Sequence, residues 1–311
     1  VNWYKEVGSV PLGFNDSEIL VNDINLKPKW VETPARFSEF HVKRKKDSLL
    51  IVIGESWTYG ESLTNVATAI KKYSLYAQLL NCFGSRMAIA MNTDYYQYAV
   101  PGNCNFYMFE ELKRILNHVS DMNYKKIYIC MQMTEPGREK AISNELAGHP
   151  LNELYDIDRK KINFKQWLEK YDEIFFNIYD DIIAEYKDRI VIDAILSKNF
   201  CCTTTPKRDY LFRIIETSWI QYSAKASGIK LEMPEFYAVG WMADMKENYS
   251  KTIEFDIEFL THQLDIIEQS NRFLLNNENH CPHPKETAHA LWAQFLLSKA
   301  GWDNENCAHR A

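Results

Sequence analysis

The chain has 311 residues, 46% hydrophobic and 25% charged, and 42 Asp and Glu against 36 Lys and Arg give a formal net charge of −6. That balance is ordinary for a globular protein, and the acidic surplus excludes a general nucleic-acid binder, which carries a basic face. No apolar run approaches the roughly 20 residues of a membrane-spanning helix, and Val1-Asn-Trp-Tyr-Lys-Glu6 has no signal-peptide core. The seven cysteines have no repeating short spacing except the adjacent Cys201 and Cys202. Reduced, mostly structural thiols and a cytoplasmic location are the corresponding expectation.

Residues 1–47 are rich in Pro, Asn, Asp and aromatics without a sustained period, and read as an irregular N-terminal arm. The run Lys43-Arg-Lys-Lys46 is the solvated approach to the first strand, Leu49 to Ile53, a short β-branched apolar run halted at Gly54, Ser56 and Gly60. Next comes a helix over 74–83 with Gly84 as its glycine cap, followed by a strand over Arg86 to Met91. A helix over 106–120 leads to a strand over 126–132 that closes on the loop Met133 to Arg138. The surface excursion 139–162 precedes an amphipathic helix from Phe164 to Tyr186 and a strand from Arg189 to Ile195. Helical periods follow over 210–227, 252–275 and 286–299, with an irregular insertion at 229–250. Strands alternating with helices call for a parallel sheet joined by right-handed crossovers. No Gly/Ser linker divides residues 48–311, which read as one α/β domain.

A serine where a buried strand breaks into a small-residue turn lies at the carboxyl edge of a parallel sheet, where α/β folds place chemistry. Ser56 is therefore the candidate nucleophile, and it needs a base within hydrogen-bond reach. Of the eight histidines, His283 is best placed, because Pro282 and Pro284 stiffen its loop just before a helix. His280, Cys281, His283 and His289 crowd one segment, but neighbouring residues converge poorly on one ion and no second Cys/His set matches them. No metal and no cofactor is expected. Trp57, Tyr59, Tyr95 and Tyr96 flank the site, either as core packing or as a stacking surface for a ring-shaped substrate.

Set together, these blocks resemble the SGNH (GDSL-type) hydrolase family. Gly54-Glu-Ser-Trp-Thr58 is similar to the first block, Gly-Asp-Ser-x-Thr; Ala99-Val-Pro-Gly-Asn103 to the second; and His283-Pro284 to the end of the fifth, Asp-x-x-His. The resemblance implies a three-layer α/β/α sandwich of flavodoxin-like type with a central, mainly parallel sheet. It also implies ester hydrolysis through an acyl-enzyme on Ser56 with His283 as base, and an oxyanion hole from the backbone N–H groups of Ser56 and Gly102. Three positions depart from the family. Glu55 replaces an aspartate, Thr134 stands where the oxyanion asparagine belongs, and His280 stands where an aspartate orients the histidine. Glu278 is a substitute orienting group. Glu135 and Arg138 form either a local ion pair or a clamp for a substrate carboxylate. A small-molecule or glycan ester, such as an O-acyl group on a carbohydrate, is the implied substrate. An acyltransferase using the same serine and a binding protein with a decayed site are the alternatives.

Overall fold

The computed structural model describes residues 19–21, 38–43, 46–60, 82–100, 102–134, 136, 138–139, 146–156, 164–199, 204–226, 275–276, 281–284 and 286–302. The strands are β1 (Ile19–Val21), β2 (Ser38–Val42), β3 (Ser48–Gly54), β4 (Asp94–Ala99), β5 (Lys126–Met133), β6 (Val191–Lys198), β7 (Arg213–Ile214), β8 (Leu275–Asn276) and β9 (Cys281–Pro284). The helices are α1 (Ser56–Tyr59), α2 (Phe83–Met91), α3 (Asn105–Val119), α4 (Pro150–Asp156), α5 (Phe164–Tyr186), α6 (Trp219–Ala226) and α7 (Glu286–Ala300).

The main sheet runs β1-β2-β4-β3-β5-β6-β7. Strands β4, β3, β5, β6 and β7 are mutually parallel, and β2 and β1 add an antiparallel edge. Alternation along β3 explains why it is central. Leu49, Ile51 and Ile53 enter the core formed with α3 and α5, whereas Leu50 and Val52 enter the core formed with α2, α6 and α7. A strand stretch buried on both faces must be apolar at successive positions, as Leu49 to Ile53 are. Helix α5 places Trp167, Leu168, Tyr171, Phe175, Tyr179, Ile182 and Tyr186 in the first core, a stripe set by the 3.6-residue period. The result is the expected three-layer α/β/α sandwich.

Several local expectations change. Residues 86–91, expected as a strand, belong to helix α2, which also contains Gly84. A β-carbon at Gly84 would overlap the Tyr95 hydroxyl, so this glycine serves a close helix-to-sheet approach and does not cap a helix. The second parallel strand is instead the tyrosine-rich Asp94–Ala99, whose six residues are all buried. The Arg-Met-Ala-Ile-Ala-Met run fits either period, and packing decides it. In the stretch read as an irregular arm, Ser38–Val42 pairs with β4. His283 lies in β9, paired antiparallel with β8, where a loop was expected. The helical period over 210–227 resolves into β7 followed by α6. The helix expected over 74–81, the insertion at 229–250 and the helical period over 252–274 lie outside the described residues. No helix among the described residues is long and apolar enough to cross a membrane.

In the parallel part of the sheet, the chain passes from β3 to β4 on one side and then to β5 on the other. The reversal falls between β3 and β5, and beyond the carboxyl ends of strands at such a reversal is where open α/β sheets bind ligands.

Candidate active site

Ser56 opens the one-turn helix α1 directly after β3. Gly54 is required there because a β-carbon would overlap the Thr58 side chain, which the turn folds back onto the strand end. Gly60, with φ of 75°, stops the helix in the left-handed region. Ser56 is 8% exposed, so its hydroxyl sits just beneath the surface.

Glu55 is the N-cap of α1. Its carboxylate accepts hydrogen bonds from Ser56 N at 2.5 Å, from Trp57 N at 3.0 Å, from the Ser56 hydroxyl and from Asn199 Nδ2. The extra methylene relative to the aspartate of the family block lets this side chain fold back over its own neighbour. Behind it, Gln132 Nε2 donates to Asn199 Oδ1 at 2.7 Å, while Ser197 Oγ and Trp292 Nε1 donate to Gln132 Oε1 at 2.6 and 3.1 Å. This buried chain of bonds ties the ends of β3, β5 and β6 to helix α7. A buried carboxylate is tolerated because fixed donors replace its water.

The second block turns at Gly102, whose φ of 78° favours glycine. Val100 N donates to Gly54 O at 3.3 Å and Asn103 N to Val100 O at 3.0 Å, so the turn is bound directly to the start of the Ser56 turn. Arg138 reaches across from the third-block loop and donates to Asn103 O at 3.4 Å. Thr134, fully buried, donates its N–H to Asn105 Oδ1 at 2.9 Å. Asn105 Nδ2 donates to Thr134 O at 3.3 Å and to the Tyr171 hydroxyl at 2.7 Å, and that hydroxyl donates to Glu139 at 3.0 Å. Glu139 also accepts from Asn105 N at 2.8 Å, closing the network at the start of α3.

The strand carrying His283 lies beside α1, and α7, which follows it, packs against α2 and α6. The backbone of His283 is described and its side chain is not; His280, Glu278 and Glu135 lie outside the described residues. Trp57 is 6% exposed and meets the Trp219 ring edge-on at 5.3 Å, turned into the core. Tyr95 and Tyr96 are fully buried as well. His289, the last histidine of the crowded segment, accepts from Phe83 N at 3.1 Å through Nδ1 and packs on Phe83 and Trp219. Burial, with a smaller contribution from Glu139, pushes the Cys104 thiol up to about 12, so it stays protonated beside the second block.

The structure thus brings the turn of Ser56, the turn of Gly102, the loop of Thr134 and the strand of His283 to one end of the sheet. Sequence reasoning missed Asn199, Asn105, Glu139 and the use of Gln132. The available signal was a polar residue near the carboxyl end of a largely apolar strand, as at Gln132 in β5.

No family model and no curated protein matches this chain. Among solved structures, it is similar to a protein assigned as a GDSL-like lipase from Parabacteroides merdae, at 12% identity and a TM-score of 0.33 over 83% of this chain and 97% of that one. That likeness is distant and defines neither an activity nor a site.

Proposed function

We propose that the protein is a serine hydrolase that cleaves an ester through an acyl-enzyme on Ser56, with His283 as general base. The observation that supports it most is the placement of Ser56 on the turn after the central strand, at the topological reversal, with the strand of His283 beside the same turn. In acylation, Ser56 Oγ bonds to the acyl carbon while its proton passes to the imidazole. The imidazolium then returns that proton to the departing alkoxide. Water repeats the sequence in deacylation and releases the acid. The hydroxyl points to Glu55 in the resting arrangement, so attack requires Ser56 to rotate about its Cα–Cβ bond toward His283.

The test is turnover of short acyl nitrophenyl esters by the purified chain. Ser56→Ala should lower kcat by a factor on the order of 10⁴ or more, and a fluorophosphonate probe should label the wild-type serine stoichiometrically. Unchanged turnover in Ser56→Ala would refute the nucleophile.

One observation favours a second reading, a binding protein on the same frame. Glu55 accepts hydrogen bonds from both the hydroxyl and the backbone N–H of Ser56. Failure of the fluorophosphonate to label folded protein would select that reading. Transfer product exceeding free acid in the presence of alcohol or glycan acceptors would select an acyltransferase instead.

A further inference from the structure

We infer that the side-chain amide of Asn103 is an oxyanion donor of the Ser56 site, a role for which the family resemblance offers Thr134. The inference rests on the serine-hydrolase reading and deepens it. The donors expected from that resemblance are partly committed inside the protein. Ser56 N–H donates to Glu55 Oε2. Asn103 differs. It is 4% exposed, and its Nδ2 has no hydrogen-bond partner.

Its orientation is not arbitrary. Asn103 Oδ1 accepts from Cys104 N at 3.0 Å, and exchanging oxygen and nitrogen would set two donors against each other, so the NH2 group must occupy the free side. A buried donor without an acceptor is rare in native structures and calls for a missing partner.

Location indicates which partner. Asn103 ends the turn whose Val100 is bonded to Gly54, two residues before Ser56, and its own carbonyl is held by Arg138 of the third-block loop. Asn103 therefore lies where the Ser56 turn and the third-block loop meet, beyond the carboxyl end of β3. A β-carbon built on the adjacent Gly102 meets no atom within 4 Å, so space is open beside the turn. An acyl oxygen is an acceptor that gains negative charge as Ser56 attacks. A fixed N–H donor aimed at it strengthens in the transition state, which is the property an oxyanion hole requires.

Asn103→Asp tests this in the full chain. The aspartate retains an acceptor for Cys104 N–H and the shape of the turn, but replaces the donor with a second oxygen. Turnover of short acyl nitrophenyl esters should fall by about 10² to 10³ in kcat with KM changed by no more than about threefold. The Ki of an alkyl boronic acid, which mimics the tetrahedral adduct, should rise by a factor comparable to the loss in kcat/KM. Asn103→Ala, which removes the side-chain donor together with the acceptor for Cys104 N–H, gives the same kinetic readings should the aspartate variant fail to fold. Retention of kcat and of boronate Ki in a folded variant would overturn the assignment, as would a loss confined to KM or to thermal stability. Wild-type protein that neither turned over esters nor took up fluorophosphonate would instead refute the hydrolase reading, and the Asn103 role with it. A wild type that depends on Ser56 but tolerates Asn103→Asp would refute the Asn103 role alone.

Discussion

The two ends of the parallel sheet both bury polar side chains, yet they treat them differently. At the amino end, the Tyr124 hydroxyl donates to Asp94 Oδ2 at 2.9 Å, Lys46 N donates to Asp94 Oδ1 at 3.1 Å, and His41 Nε2 lies 3.0 Å from the Tyr124 oxygen. Since the phenol proton is used on Asp94, the imidazole N–H donates to the phenol, and all three side chains are hydrogen-bonded. Its work is to pin the antiparallel edge strand β2 to the loop before β5. At the carboxyl end, Glu55, Asn199, Gln132 and Asn105 are as deeply buried and as fully bonded, but the adjoining turn carries the unmatched Nδ2 of Asn103. A closed polar cluster is an account of stability. An open one, beside a candidate nucleophile at a topological reversal, is an account of binding.

The comparison can be broken most forcefully at Asn199. Asn199→Asp replaces the amide donor facing Glu55 with a second carboxylate in a buried setting. We expect a loss of about 3 to 5 kcal/mol in denaturant unfolding at neutral pH, the cost of an uncompensated buried charge. The like-charge pair raises the folded-state pKa of one carboxyl above its unfolded value, so stability should return as pH falls and that carboxyl takes up a proton. A variant as stable as wild type at pH 7 would show that the Glu55 network is not the support of the site.

Tyr124→Phe sharpens the comparison from the other end. It removes the phenol's hydrogen bonds to Asp94 Oδ2 and His41 Nε2 and should cost about 1 to 3 kcal/mol of stability. Ester turnover should remain at the wild-type level, because the cluster lies at the far end of the sheet. A selective fall in kcat without loss of stability would contradict the division between the two ends.

A smaller, graded effect follows from His41. Burial first, then the positive charges of Lys43 and His118, lower its pKa from 6.5 to about 3 in the folded protein. The unfolded chain therefore binds a proton near pH 6.5 that the folded protein refuses until about pH 3. The neutral histidine's contribution is fully present above 6.5 and is lost as pH falls through this window. The slope should be no more than about 1.4 kcal/mol per pH unit. His41→Gln should flatten that part of the stability profile, measured by urea unfolding at successive pH values. An unchanged slope would assign the acid sensitivity elsewhere.

The turns that border the candidate site were legible in the sequence wherever one residue type is dictated by local geometry. Gly54 and Gly60 frame Ser56 because one lies against Thr58 and the other has positive φ. Gly102 marks the second turn for the same backbone reason. The residues that bind these turns together were not legible, because Asn199, Asn105 and Glu139 act across 144, 29 and 32 residues of chain. Asparagine and glutamate at a strand or helix end carry no periodicity that announces such a partner. Likewise, Arg86 to Met91 satisfies both helical and strand patterns, and only the approach of Gly84 to Tyr95 sets it on a helix.

By itself, the sequence determined the layered α/β architecture, since short continuous apolar runs alternating with stripes of period 3.6 leave few other ways to bury both faces of β3. It also determined that Ser56 would stand at a strand end. Only the tertiary structure decided what the hydroxyl faces, which carboxylate holds it and which amide is left without an acceptor. Those outcomes depend on hydrogen-bond directions among side chains distant in the chain, and direction is fixed only when strands, turns and helices have packed.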